Sequence, residues 1–327
     1  MIIVTGASGH IGNVLVRHLL KKGLEVGVTD RDPENDPVLK PLNLKMYKGD
    51  VRDIDFLRKT FKDADAVIHT AGIVSITPWK KELMHEVNVE GTKNVVQACI
   101  DSKVKRLVYT SSVHALYEPP KGKFLIEKLA KSVTDVLGEY AKTKVLATRE
   151  VLKGIEKGLD AVITYPSGVI GPYDFKHSEM GEMIHDYSSG QYKYYVDGAY
   201  NFVDVRDVAN GIYLALTKGK KGEEYILAGN KITVKELFKL ISEITNIEEP
   251  KFKIAMPFAK FLAPFALVYY KVTKKVPVFT PYSLAVLESN ADISSEKAVK
   301  ELGYSYRSIK ESVNDTIEWN KGSKVDI

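Results

Sequence analysis

Short β-branched runs alternate with longer amphipathic stretches through the first half of the chain. The runs are "IIVT" (2–5), "EVGVT" (25–29), "LKMYKGD" (44–50), "AVIHTAG" (66–72), "RLVYTSS" (106–112) and "DAVITYP" (160–166). Their length and composition predict strands. Between them, segments such as "IGNVLVRHLLKKG" (11–23) and "HEVNVEGTKNVVQACIDSK" (85–103) repeat apolar residues three and four apart, the helical period. Strand and helix in alternation predict an α/β fold with a doubly wound parallel sheet, covered by helices on both faces.

After Pro166 the rhythm loosens. The stretch 171–200 is rich in Gly, Tyr and His, and "NFVDVRDVANGIYLAL" (201–216) reads as a short strand feeding a helix. The expected division is a main domain over 1–172, rejoined by 201–229, and a smaller region over 173–200 and 230–327 at the sheet's carboxyl edge. Within the smaller region, "KIAMPFAKFLAPFALVYYK" is apolar and broken by prolines. A buried helix hairpin is the favoured reading; an apolar lid or a membrane-surface contact through 256–271 are its rivals. The apolar run between lysines, "FLAPFALVYY", is too short to span a bilayer.

The 327 residues suit one large α/β domain with a satellite, and 44% apolar with 27% charged residues is an ordinary globular composition. The net charge of +5 is scattered, without a basic block interleaved with aromatics, so nucleic-acid binding is not expected. Cys99 is the only cysteine, which excludes an internal disulfide and a cysteine-based metal site and fits a reducing compartment. The chain opens on the strand-like "MIIVTG" without a leader pattern, so a soluble, cytoplasmic protein is expected. The seven histidines show no metal spacing, and no metal site is expected.

"VTGASGHIG" (4–12) follows the first strand and opens the first helix, with Gly6, Gly9 and Gly12 three apart. Glycines there permit a tight turn and let backbone amides approach a pyrophosphate, while the helix N-terminus offers N–H groups and a positive dipole end. A dinucleotide in a Rossmann domain is the expectation, held by a loop that includes Ser8, His10 and Ile11. Asp30, at the end of the second strand, stands where an acid grips the adenosine ribose of NAD; Arg31 beside it suits the 2′-phosphate of NADP. NAD is favoured, because an anionic Asp30 repels a phosphate. Asp50 ends the third strand, placed to meet the adenine amine.

Four Tyr-x-x-x-Lys pairs occur: Tyr117/Lys121, Tyr140/Lys144, Tyr270/Lys274 and Tyr306/Lys310. The first contains two prolines, and the last two lie far in sequence from the phosphate loop. Tyr140/Lys144 sits in "VLGEYAKTKVLATREVL", an uninterrupted helical stretch between the fifth and sixth strands, where positions i and i+4 are adjacent. Hydride arriving at a carbonyl carbon requires a proton at oxygen. A phenol serves once its pKa falls from about 10 toward neutrality, and the Lys144 charge favours the phenolate. Ser112, at the end of the fifth strand, is placed to donate to the substrate oxygen, with Ser111 on the other side by alternation.

Together "TGASGHIG", "GDVRD", "IHTAG", "VNVEGTKNVV", "YTSS", "YAKTK", "YPSGVIGP" and "FVDVRDVA" resemble the extended short-chain dehydrogenase/reductases, the NAD-dependent epimerase/dehydratase superfamily. The resemblance covers nearly the whole chain and is closest to dihydroflavonol reductase-like and 3β-hydroxysteroid dehydrogenase-like members. It implies a catalytic Ser112, Tyr140 and Lys144, and dinucleotide contacts from the Gly6–Gly12 loop, Asp30, Asp50, Val51, Thr70, Ala71, Gly72, Pro166, Gly168 and Val169. It also implies a supporting role for Asn88. Tyr165 stands where many such proteins carry Arg, which leaves the local geometry open. His69, His114, His177 and His185 are candidates for substrate or cofactor contacts, with ordinary polar contacts favoured; His10, His18 and His85 read as loop or surface residues. "QYKYYVDGAYNF" (191–202) fits either a pocket for a ring-bearing substrate or cross-strand tyrosine pairs.

The function expected is NAD(P)-dependent interconversion of a secondary alcohol and a ketone on a bulky, mostly apolar cyclic small molecule. The alternative keeps the cofactor and triad but acts on a nucleotide sugar. Arg206 is the only arginine between 166 and 290, which argues against a diphosphate substrate. A regulatory protein that has lost catalysis is a third reading, weakened by the presence of both Tyr140 and Lys144. A homodimer is left open.

Overall fold

The computed structural model describes residues 1–34, 36–273 and 279–327. The first six strands are β1 (Ile2–Thr5), β2 (Val26–Asp30), β3 (Lys45–Lys48), β4 (Ala66–His69), β5 (Arg106–Thr110) and β6 (Ala161–Pro166). Then come β7 (Gly168–Ile170), β8 (Tyr194–Val196), β9 (Ala199–Asp204), β10 (Glu224–Leu227), β11 (Asn230–Thr233) and β12 (Phe252–Ile254). Seven of them form one sheet in the order β10-β6-β5-β4-β1-β2-β3, every pairing parallel. The order reverses between β1 and β4, so the loops after these strands part and leave a crevice at the carboxyl edge.

Alternation along the central strands feeds two cores. Val67, Leu107 and Ile163 pack on one face with Val95 and Val145, from the helices Gly91–Asp101 and Gly138–Glu156. Ile68, Val108 and Val162 pack on the other with Leu15 and Ile212, from the helices His10–Lys21 and Val205–Lys218. Strands buried on both faces read as continuous apolar runs, which is why β4 and β6 are buried throughout. β10 escapes the sequence reading because its four residues carry no periodic signal; Tyr225, Ile226 and Leu227 are buried by neighbours distant in sequence.

β9 is the middle strand of a second, three-stranded sheet, antiparallel to β11 and parallel to β7. The helices Glu179–Ser188, Val234–Thr245 and Ile309–Asn320 surround it with a core that includes Ile184, Tyr187, Phe202, Phe238 and Ile317. β8 and β12 pair in parallel, with Tyr194 and Phe252 ring to ring at 5.8 Å, so the amino end of the tyrosine-rich stretch makes a cross-strand aromatic pair.

The apolar segment corrects an expectation. Met256–Thr273 is a single helix with Pro264 inside it, and only Ala259 and Ala263 are buried. These two pack with Val196 and Leu284, and Phe258, Phe261, Phe265, Val268, Tyr269 and Val272 face outward. It is not a buried hairpin, because small residues form its packed stripe. Among the described residues no helix is long and apolar enough to cross a membrane. Lys274, from one Tyr–Lys pair, lies outside the described residues.

Candidate active site

The phosphate loop is closed by backbone contact. Gly6 has φ +71°, and a Cβ there would stand 2.5 Å from the Ala71 N and Cα; a Cβ on Gly12 would stand 2.2 Å from the Gly6 carbonyl oxygen. Strand, loop and helix therefore touch where any side chain would intervene. Gly9 caps the helix His10–Lys21 without a side chain, and the first turn carries no acidic residue. Its N–H groups and dipole are left for an anion, so these residues fit a dinucleotide.

Two adjoining cavities extend from this loop. One, of about 300 Å³, is lined by Gly6, Ser8, Gly9, Asp30, Arg31, Asp50, Val51, Thr70, Ala71 and Gly72. The other, of about 340 Å³, shares Gly6, Gly9, Thr70 and Gly72 and adds His10, Ile11, Gly12, Ser112, Tyr140, Pro166, Gly168 and Val169. Every cofactor position expected from the sequence faces one of the two except Lys144, which lies beneath.

At the first cavity, the Asp30 carboxylate accepts the Ser8 Oγ at 2.5 Å and the Ser8 N–H at 3.3 Å, and its other oxygen accepts the Arg31 N–H at 2.7 Å. Asp50 is held in a fork by Arg52 at 2.9–3.1 Å, and Arg52 also donates to Glu86 at 2.8 Å. The hydrogen bond from Arg52 holds the Asp50 carboxyl below its ordinary range. Lys176, which no motif singled out, comes from the turn ahead of the helix Glu179–Ser188 and places Nζ 2.6 Å from the Ser8 Oγ.

At the second cavity, Tyr140 is in the first turn of Gly138–Glu156 and Lys144 is one turn on. Ser112 follows β5 and is 7% exposed; its Oγ accepts the His114 N–H at 3.3 Å. The Ser111 hydroxyl is bonded to Thr148 at 2.8 Å, although Ser111 also borders the cavity. Lys144 Nζ donates to the Thr110 carbonyl at 2.8 Å and lies 5.2 Å from the Tyr109 ring centroid. Burial draws the ammonium down to about 8. The phenol of Tyr140 departs from expectation. Burial pushes it up to about 12; the Ser112 hydroxyl pulls it down, and the charge of Glu179 adds to the rise. Burial is the largest of these influences in the chain alone.

Asn88 joins the two halves of this site. It lies in a π-helical turn, His85–Glu90. Its Oδ1 accepts the Ile73 N–H at 2.7 Å, and its Nδ2 donates to the Ile73 carbonyl at 2.9 Å and to the Thr143 Oγ1 at 3.0 Å. Thr143 in turn donates to the Tyr140 carbonyl at 2.7 Å. One amide thus ties the loop after β4 to the first turn of the Tyr140 helix.

The wall facing Tyr140 combines His114, a candidate contact from the sequence, with residues the sequence did not single out individually. His114 meets the rings of Tyr140 and Tyr282 edge-on, both at 6.4 Å. Gly138 has φ +79°, and a Cβ there would stand 2.4 Å from the Tyr282 ring, so this glycine admits the ring against the helix start. Glu179, Tyr200 and Phe202 complete the wall. Burial raises the Glu179 carboxyl above its ordinary range. Beyond His114, Tyr200, Tyr282 and Val286 lies a third cavity, of about 330 Å³, with Glu118, Asp135, Asn201 and Asn290 in its lining. Among the described residues neither cavity is lined by a lysine or an arginine.

The remaining histidines separate. His69 is buried between the hydroxyls of Thr5 at 2.7 Å and Thr92 at 3.0 Å, a structural contact. His10, read as a surface residue as well as a loop contact, has its Nε2 2.9 Å from the Pro172 carbonyl at the cavity wall. His177 and His185 line none of the three cavities.

A parallel sheet with a glycine cradle at its switch point, covering most of the chain, matches one sequence profile over residues 2–228. The chain belongs to the NAD dependent epimerase/dehydratase family. It is an NAD(P)-dependent oxidoreductase by that membership, and the cradle above is built for the family's cofactor. It is 30% identical to the sterol demethylase protein B of Methylococcus capsulatus over 97% of each chain. It is 33% identical to a putative dihydroflavonol 4-reductase of Synechocystis over 97% of this chain and 93% of that one. The crystal structure of gox2253 superposes with a TM-score of 0.87 at 34% identity, over 98% of both chains. Within this family member, Tyr165 is fully buried in β6 and donates its hydroxyl to Glu224 of the neighbouring β10, so it anchors that strand pair.

Proposed function

We propose that this enzyme interconverts a secondary alcohol and a ketone on an uncharged, ring-bearing, largely apolar molecule, with Ser112, Tyr140 and Lys144 as its working residues. The observation that carries the substrate class is the charge of the wall. Beside Tyr140 stands a carboxyl, Glu179, and two more, Glu118 and Asp135, line the cavity behind it, while among the described residues no lysine or arginine lines either. A sugar nucleotide brings a diphosphate, which asks for arginine forks. Arg206 is already engaged by Asp204 at 2.8–2.9 Å and by Asp315 at 2.7 Å, so it has no free fork for one. Aromatic walls from Tyr200, Phe202 and Tyr282 suit a flat ring system. The names of the two curated relatives, a sterol enzyme and a dihydroflavonol reductase, point the same way.

The dinucleotide, when bound, supplies hydride exchange at its nicotinamide. The chain's own residues do the rest. The Ser112 hydroxyl donates to the substrate oxygen and fixes it toward Tyr140. The Tyr140 hydroxyl gives that oxygen a proton on reduction and takes it back on oxidation. Lys144, pinned by Thr110, keeps positive charge beneath the phenol and favours its ionised form. NAD is the preferred cofactor, because Asp30 is held facing the adenosine end by Ser8 and the Arg31 amide.

A pH dependence follows for the reductive direction. Lys144 is charged below about 8 and neutral above it. Since the ammonium is the useful form, kcat/KM is expected to hold below that pH and to fall as pH rises through it. A profile flat across this range removes the Lys144 charge from the mechanism.

The test of the whole reading is a panel of steroid and flavanone ketones, UDP-glucose and UDP-galactose, followed by NADH and NADPH absorbance. Turnover of a ring ketone with NADH favoured over NADPH is expected, without thermal shift or turnover for the UDP-sugars. Turnover confined to the sugars overturns it.

A further inference from the structure

The helix Met256–Thr273 carries Phe258, Phe261, Phe265, Val268, Tyr269 and Val272 outward, each between 49% and 76% exposed. At about 100° per residue these positions fall within roughly a quarter to a third of the helix circumference, one continuous face. The opposite side is the packed stripe of Ala259 and Ala263. An exposed patch this apolar is uncommon on a soluble protein without a partner.

Along the sequence of this segment the charge is one-sided. Between Glu249 and Glu288 the chain has no Asp or Glu, and six lysines: Lys251, Lys253, Lys260, Lys271, Lys274 and Lys275. Three of these make ion pairs, Lys251 with Glu248, Lys253 with Asp197 and Lys260 with Glu288, all among exposed side chains where such pairs are weak. Aromatic and aliphatic side chains in one stripe, with lysines and no acids along the segment, match the surface of an anionic bilayer. The rings enter the boundary between headgroups and acyl chains while the ammonium groups meet lipid phosphates. The patch also adjoins the site. Ala259 and Ala263 pack with Leu284 of the helix Pro281–Glu288, whose Tyr282, Ser283 and Val286 line the cavity beside Tyr140.

We propose that this helix face docks the enzyme on an anionic membrane surface, in the plane of the lipid. Docking stands on the helix face alone; its use, drawing an apolar substrate from lipid into the cavity, rests on the function proposed above.

The full chain is to be sedimented with phosphatidylcholine vesicles and with vesicles in which about one-third of the lipid is phosphatidylglycerol. The expected result is pelleting with the anionic vesicles, weakened by salt. In the triple variant Phe261→Ser, Phe265→Ser, Val268→Ser the bound fraction falls about tenfold or more. Turnover of a small water-soluble ketone stays unchanged, which certifies the fold. Lys271→Glu weakens binding to the anionic vesicles. Wild-type protein left in the supernatant with both vesicles overturns the proposal. So does light scattering that shows a dimer dissociated by the triple substitution, since a second copy then covers the face. Sedimentation needs neither cofactor nor substrate, so its failure leaves the oxidoreductase reading intact, and the failure of that reading leaves docking intact.

Discussion

Tyr140→Phe is expected to lower turnover at least about a hundredfold, roughly 2.7 kcal/mol of barrier, while the dissociation constant for NAD changes little. The substitution removes one oxygen and keeps the ring. The backbone carbonyl of Tyr140, which accepts from Thr143, is untouched, and so is the chain of contacts through Asn88 to Ile73. The edge-on packing against His114 also uses only the ring. What disappears is the group that moves the proton at the substrate oxygen. Steady-state rates beside a binding titration check this, and unimpaired turnover ends the role assigned to this phenol.

The second large effect is on the cradle. Gly6→Ala is expected to weaken NAD binding at least about tenfold and to lower Tm by a few degrees. Two costs act together: a left-handed backbone that disfavours a side chain, and a Cβ driven to 2.5 Å from the Ala71 backbone. Thr70, whose N–H and hydroxyl both donate to the Thr5 carbonyl, must move with Ala71, and both line the cofactor groove. Gly23→Ala separates the two costs. Gly23 has φ +72° but open space around a Cβ, so the substitution should cost stability and leave NAD binding unchanged. Calorimetric titration of the two variants checks the contrast; equal NAD affinity in both means the close approach at Gly6 is not what shapes the groove.

Much of the frame was legible before any coordinates. The six early strands begin within one residue of the runs that predicted them; the inner ones, buried on both faces, must be apolar throughout, while the edge strand β3 keeps two exposed lysines. The same holds for Tyr140 and Lys144. They share a helix face by spacing alone, and the pair competing at 117 and 121 is excluded by the prolines between. Less was legible about the substrate wall. Glu179, Tyr282 and His114 come together from segments up to 168 positions apart (282 − 114), and no local pattern marks them as neighbours.

Two expectations failed for reasons that are also spatial. The apolar helix looked buried because apolar content usually is, yet among its described residues only two alanines are fully buried. Tyr140 was expected to be acidified by Lys144, yet desolvation of the phenol dominates.

By itself the order of residues determined the α/β sheet, the glycine turn before the first helix, and a Tyr–Lys pair on one helix face between the fifth and sixth strands. These depend on periodicity and spacing over a few residues, where backbone geometry leaves few options. Tertiary structure alone decided which side chains surround Tyr140, that carboxyls stand in its wall, and which face of the apolar helix meets solvent. Those are sums over contacts between distant segments, and burial and charge acquire values only once the chain has closed on itself.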